Sequence, residues 1–563
     1  MAATDIQATK LPVPASCKPG TVVFGVFATS DPRIDDASRQ RCVNICGHVA
    51  NVIAKCVRMP DGTAVKVVWT PVLVDGEKQA DIVARQFKDA GVQALVCCPD
   101  TWAFPQPTAI SLLSHFPWNM PLNITCGNSG PKPGVVFAQA LNGALAQMGR
   151  LSSLNVGTWP DTGMDPQMMP ATAEALVDWC YAALTYAGLR GRRVVVFGHD
   201  SMGMETALPH ILAMRHTFGI EVTRLDMKLL ADMLTKRAYD EKELMEFRTW
   251  INRHIGHRLE LRGPGDGERF DQSLAMYLIV RDLMADINAV GGGFMSQLEW
   301  GSDMRGTPLP VADGMESLLN STFDHRGRKP PLPYATEADV QGLLTMLFMT
   351  WLSGGSPPLF MDFRKVWEPW EIQALAKKLG VRFTKKDIWA ELGCFDGDNS
   401  GSASFDWAGR PGEDPDEVMK RISMPLADPG YFPGGGNSVT FNTPGGIECV
   451  TGRLHYDHGP DRFSLLWDET VTAGLPEKLA RAVAATSTPT WPHTFVIALI
   501  ASMTQWKQYA PANHVHSVWG LKPARLQHWM DMSGVRDGHA SRWPVFRPGI
   551  DRPMPLRELV RML

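Results

Sequence analysis

Residues 21–28 read TVVFGVFA, an apolar, β-branched run with no charge. Such a run is a strand buried on both faces, and the segments after it decide the fold. CVNICGHVANVIAKCV (42–57) has helical spacing, AVKVVWTPVLV (64–74) returns to strand, EKQADIVARQFKDAG (77–91) to helix and QALVCCP (93–99) to strand. PLNITCG (121–127), VVFAQALNGALAQMG (135–149) and SLNVGTW (153–159) continue the alternation. A strand–helix–strand rhythm needs crossovers and predicts a parallel, doubly wound α/β sheet over 21–165, after a short disordered leader at 1–20.

A second α/β domain is expected over 166–354. It opens with the helical ATAEALVDWCYAALTYAG (171–188), followed by the strand RRVVVFG (192–198) and the strand-like IEVTRLD (220–226). Helix is expected from SLAMYLIVRDLMADINAV (273–290). Beyond about 355, Gly, Pro and Asp clusters punctuate short runs such as SVTFNT (438–443), IECVTGRLHYD (447–457) and RFSLLWDE (462–469), which predicts a β-rich domain over 355–563.

The chain has 563 residues, too many for one core, and a net charge of −4 with no basic run, which argues against nucleic acid as a partner. No segment approaches the roughly 18 to 20 apolar residues of a membrane span, so no membrane partner is expected. The N-terminus lacks the pattern of a secretory signal, and ten cysteines without framework spacing suggest reduced thiols and a cytoplasmic location.

Several stretches imitate ligand sites. GHDSMGME (198–205) sits between strand and helix but lacks both phosphate-binding fingerprints. DGDNSGSASFDW (396–407) has the spacing of a calcium loop, with Trp407 where a bidentate glutamate belongs. HYDHG (455–459) has a turn's composition, and Cys42 and Cys46 share one helix face, as core residues do.

Glu337 and Asp362 flank LLTMLFMTWL (343–352), which must be buried. A carboxylate against such a segment costs several kcal/mol unless it is paired or bound to a cation. Arg364 offers a salt bridge to Asp362; His514, in PANHVH (511–516), offers a metal-ligating nitrogen. Two carboxylates and a histidine suit a hard divalent ion such as Mn²⁺ or Mg²⁺.

ATEADVQG, MDFRKVW, NSGSASFD, YFPGGGNS, PTWPHTF and ANH occur in that order, with weaker matches at DTWAF and FMSQLEW. In these the chain resembles the L-fucose isomerase family of the fucose/arabinose isomerase superfamily, from about residue 22 to 534. The resemblance implies two Rossmann-like α/β domains and a β-rich C-terminal domain. It also implies an aldose–ketose isomerase that works through an enediolate on Mn²⁺ and assembles as a hexamer. Glu337 and Asp362 would be the acid/base residues and, with His514, the metal ligands. Substrate contacts would come from Gln297, Asn513 and Trp491, with Trp102 reaching a neighbouring subunit's site.

The resemblance breaks at the sugar-contacting positions. Phe27 stands where the family has an arginine, with Arg33 a candidate substitute; Asn437 replaces a tyrosine; His493 replaces a small hydroxyl residue. The expected substrate is therefore an aldose other than, or broader than, L-fucose and D-arabinose. Two alternatives stand beside it: a sugar epimerase or lyase working through the same enediolate, and a non-catalytic sugar-binding protein, against which the retained Glu337, Asp362 and His514 weigh.

Overall fold

In the computed structural model, residues 21–127, 133–157, 159, 163–164, 167–199, 203–295, 309–399 and 401–543 are described. The expected leader and Gln297 lie outside them. The chain divides into two units, one of Gly20–Arg190 with Lys522–Gly534, the other of Gly191–Leu521 with the chain from Val535 on.

The first unit is built on β1 (Val23–Phe27), β2 (Lys66–Trp69), β3 (Ala94–Cys97), β4 (Leu122–Gly127) and β5 (Ser153–Gly157). They form one parallel sheet in the order β2-β1-β3-β4-β5. TVVFGVFA thus becomes β1, buried throughout. Its Gly25 has a packing reason: a Cβ there would lie 2.8 Å from Val92 and 2.9 Å from Phe87. Gly25→Ala is expected to cost about 1–3 kcal/mol by overpacking, read as a lower midpoint in urea denaturation.

Helix Pro170–Gly188 corrects the expected boundary at 165/166, because it belongs to the first unit. Its buried residues run unbroken from Asp178 through Gly188 on every face, so it needs cover on two sides. One cover is helix Pro523–Ser533, returned from the far end of the chain. Arg525 Nε donates to Asp178 Oδ1 at 2.8 Å, and its guanidinium lies 3.9 Å from the Tyr181 ring centre.

In the second unit, β6 (Arg193–Phe197), β7 (Glu221–Leu225), β8 (Ala289–Phe294), a short hairpin of β9 (Phe323–Asp324) and β10 (Gly327–Arg328), and β11 (Tyr334–Thr336) follow in turn. A parallel sheet has the order β11-β8-β6-β7. The helix expected to run to 290 ends at Ile287, where Asn288 takes a left-handed conformation (φ 58°) and stops it.

The remaining strands are β12 (Leu359–Trp367), β13 (Cys394–Asp398), β14 (Glu448–Asp457), β15 (Arg462–Thr472), β16 (His493–Ala498), β17 (His514–Trp519) and β18 (Arg536–His539). Their order is β14-β17-β12-β13-β16-β15-β18, and β14 also pairs with β15, which closes the first six into a barrel. SVTFNT, expected as a strand, makes only single bridges, Ser423 with Thr440 and Asn442 with His493. The molecule is thus a mixed α/β protein with two parallel sheets and a β-barrel. Among the described residues no helix is long and apolar enough to cross a membrane, and the nine cysteines are free thiols.

Candidate active site

Barrel register explains how residues far apart in sequence meet. His514 on β17 lies opposite Asp362 on β12, Asp362 opposite Asp398 on β13, and Asp398 opposite His493 on β16. Directly opposed residues project to the same face, so these four form one row. Glu337 arrives from the other direction, just past the carboxyl end of β11. It and Ala338 both take left-handed backbone conformations, φ 59° and 53°. Two such residues in succession without glycine are strained, and the turn is held by the Ala338 amide donating to Phe294 O at 3.0 Å. The next residue, Asp339, caps helix Val340–Ser353 by accepting from the Gly342 amide at 2.8 Å. That helix contains LLTMLFMTWL and is buried over nearly its whole length.

His514 is the centre of the site. Its Nε2 lies 3.2 Å from Glu337 Oε2 and 3.3 Å from Asp362 Oδ1, is fully buried, and makes no hydrogen bond of good geometry with the described residues. Its Nδ1 lies 2.7 Å from Asp339 Oδ2. Arg453 grips Asp339 from the other side, with Nη1 on Oδ2 and Nη2 donating to Oδ1 at 2.9 Å. Burial works against the Asp339 anion, yet Arg453 and His514 hold its carboxyl well below the usual carboxylate range. Burial likewise disfavours a charged His514, but Asp339, Asp362 and Glu337 outweigh it and hold the ring well above the usual histidine value. His516 is pushed the opposite way, by burial and by the Arg453 charge.

Two carboxylates and an imidazole are residue types that could hold a divalent cation. Donor atoms on adjacent corners of an octahedron with bonds of about 2.1 Å lie about 3 Å apart, close to the two separations at Nε2. A histidine with one ring nitrogen on a carboxylate and the other facing two more carboxylates is the arrangement of a metal ligand with its outer partner. Asp362 is held from behind: Asn399 Nδ2 donates to Oδ2 at 3.2 Å, and Asn513 Nδ2 lies 3.5 Å from Oδ1. Asp339, Arg453 and Asn399 are the residues around this candidate site that the sequence reading missed. The need of His514 for a second partner was the available signal for Asp339.

Arg364 does not pair with Asp362. Its Nε lies 3.7 Å from Asp398 Oδ1 instead. Asp396, Asp398 and His493 also bring donor atoms within 4.8 Å of one another, on strands rather than in a calcium loop. There, however, His493 Nδ1 lies 2.9 Å from Asp396 Oδ1 and Nε2 3.2 Å from Thr488 O, so both ring nitrogens are engaged. With Arg364 alongside, the cluster supplies its own positive charge. Burial and the Asp396 charge push Asp398 up to about 6.

The expected sugar contacts divide. Trp491 is buried against Val311, Ala427 and Phe432. Asn437 is buried, and its amide donates to Glu260 O at 2.8 Å and Met424 O at 3.0 Å, so it serves as a loop clamp, unlike the tyrosine expected there. Phe27 is fully buried beside Phe87 in the core of the first unit. Arg33 and Trp102 belong to that unit too: Arg33 pairs with Asp31, with Nη2 at 2.6 Å from Oδ2, and Trp102 packs edge-on against Phe104 and Phe137.

Family models for the L-fucose isomerase first and second N-terminal domains match residues 21–191 and 192–354. Their junction falls at the boundary between the two units. The chain is 26% identical over 515 residues to an L-fucose isomerase of Vibrio vulnificus, spanning 84% of this chain and 85% of the relative. It is 25% identical over 548 residues to one of Haemophilus influenzae, spanning 90% and 89%. With a Streptococcus pneumoniae L-fucose isomerase it shares 25% over 514 residues, 84% of each chain.

Proposed function

Because the chain belongs to the L-fucose isomerase family, we propose that it interconverts an aldose and its ketose through a cis-enediol(ate), with Glu337, Asp362 and His514 as ligands of one Mn²⁺ or Mg²⁺ ion. It is an intramolecular oxidoreductase of the ketol-isomerase type. The observation that supports the site assignment is the buried His514 Nε2, facing two carboxylates without a hydrogen bond of its own among the described residues.

The barrier in this reaction is formation of a carbanion beside a carbonyl. A bound divalent ion supplies Lewis-acid stabilisation of the negative charge on O1 and O2. One of Glu337 and Asp362 takes the proton from C2 and returns it at C1, and the other moves the hydroxyl proton. Asn399 and Asn513 fix the Asp362 carboxylate for this work. Asp339 fixes the ring of His514, and Arg453 keeps Asp339 ionised.

We assign Asn513, Trp491 and, from a neighbouring subunit of a hexamer, Trp102 to the sugar, and we place the enzyme in the cytoplasm. The parallel sheets would be Rossmann-like, doubly wound domains. Its substrate is L-fucose, D-arabinose or a related aldose.

The test is turnover of a panel of aldoses with Mn²⁺, reading the matching ketose. Chelation is expected to abolish turnover and added Mn²⁺ to restore it. In titration calorimetry, His514→Ala should weaken Mn²⁺ binding by about 100-fold or more, since a ligand is lost outright. Tight Mn²⁺ binding by that variant, or ketose formation after complete chelation, would refute the assignment.

A further inference from the structure

Arg364 is left over by the site described above. It sits at a break in register between β12 and β13: Phe363 pairs with Gly397 and Lys365 with Asp396, so Arg364 is skipped in that ladder. A bulge of this kind re-aims a side chain, and such bulges occur beside active sites. Here the guanidinium comes to Asp398, which lies directly opposite Asp362 and so shares its face. Nε donates to Ser487 Oγ at 3.1 Å and Nη2 to Thr488 Oγ1 at 2.8 Å, and the group lies 5.4 Å from the Trp491 ring centre. Four contacts fix its position, yet the side chain is 34% exposed and Nη1 makes no hydrogen bond among the described residues. The Nη1 hydrogens are therefore donors held in place without an acceptor among those residues.

The support beneath it is equally specific. Ser487 Oγ donates to Asp398 Oδ2. His493 binds Asp396 through Nδ1 and meets Thr488 O through Nε2. Segment 487–493 carries Ser487, Thr488, Trp491 and His493, and every one of them touches Arg364 or the carboxylates beside it. One clamp thus links the strand of Asp362 to the segment that carries Trp491. A small hydroxyl residue in place of His493 could not span from Asp396 to Thr488 O.

Building on the isomerase reading, we propose that Arg364 is a specificity-determining residue: its Nη1 donates to an oxygen of the sugar beyond the two reacting carbons, and Asp398 and the Asp396–His493 pair position it against Trp491. An arginine contact is thereby supplied from the barrel, although Phe27 has removed the one expected from the first strand. Arg364 touches substrate in the ground state and the transition state alike, so its contribution is to binding and not to the chemical step.

The test is kcat and KM for aldoses that differ in configuration at C4 and in the substituent at C5, for the wild type, Arg364→Gln, Arg364→Lys and His493→Thr, with Mn²⁺ affinity by calorimetry. Arg364→Gln is expected to raise KM for the preferred aldose about 10- to 100-fold, with kcat and Mn²⁺ affinity within about threefold. Arg364→Lys keeps the charge but not the fork, so part of the loss should return. His493→Thr should shift the ratio of kcat/KM between the two best aldoses by about 3- to 10-fold. If the wild type turns over an aldose but Arg364→Gln leaves KM unchanged, this inference alone is overturned. It is overturned equally if the loss lies in kcat or in Mn²⁺ affinity, or if Mn²⁺ binds at a second site that Asp396→Asn removes. If the wild type isomerises no aldose, the isomerase reading fails and takes this inference with it.

Discussion

Glu337→Gln and Asp362→Asn should each lower kcat by about 10²- to 10⁴-fold, the usual contribution of a positioned acid or base. The amide keeps the shape of each side chain, so the loss reports proton transfer and ligation rather than packing. The variants are expected to differ in their response to Mn²⁺. Asp362 is already restrained by Asn399 and Asn513, and an amide at that position would turn a donor toward one of those donors. Asp362→Asn should therefore disturb its surroundings more, and Mn²⁺ titration with urea denaturation of the same samples separates the two effects. Activity within tenfold of the wild type for either variant would remove that residue from the chemistry.

Asp339→Ala is expected to destabilise the metal-free protein by about 3–5 kcal/mol. The Arg453 side chain is 1% exposed and the Asp339 side chain wholly buried. Removing one partner leaves a guanidinium inside the protein with no counter-charge, the costly half of a buried ion pair. Replacing both, Asp339→Leu with Arg453→Met, should restore much of the stability while leaving His514 without its Nδ1 partner. The double variant would then fold but bind Mn²⁺ poorly, which separates the structural role of the pair from its effect on the ligand. The pH dependence has a definite sign. The folded-state pKa of Asp339 is depressed, so its contribution is complete above about pH 5 and is lost as pH falls through the carboxylate range toward the folded value. Asp339→Asn should flatten that limb of the stability curve between about pH 5 and 3. An unchanged urea midpoint for Asp339→Ala would show that the pair does not carry this load.

Much of the fold was legible because its signals are local. TVVFGVFA, QALVCCP and PLNITCG are strands by composition, and each becomes a central or near-central member of the parallel sheet. The failures have nonlocal causes. AVGGGF was missed as β8 because three glycines weaken strand propensity, but Gly292 is needed: a Cβ there would lie 2.7 Å from the Tyr334 ring. The end of the first unit was misplaced because helix Pro170–Gly188 shows its apolar surface without showing what covers it.

At the candidate site, Glu337, Asp362 and His514 were singled out by residue type and by family motif. Their convergence depends on the pairing of β12 with β17, which neither segment encodes alone. Arg453 lies in a strand of ordinary alternation, and its partner Asp339 is 114 residues away. Nothing in GRLHYD distinguishes an arginine that enters the interior from one that faces water.

The return of helix Pro523–Ser533 to the first unit has a consequence for biosynthesis. A ribosome delivers residues 20–190 before the barrel, yet the helix whose Arg525 neutralises Asp178 emerges only after β17, the strand that carries His514. Until then a nascent first unit holds a half-covered helix and an unanswered acid, so its final stability arrives only once residues 522–534 have been made. Any truncation before residue 522 would strip the first unit of this helix even though residues 20–190 are all present.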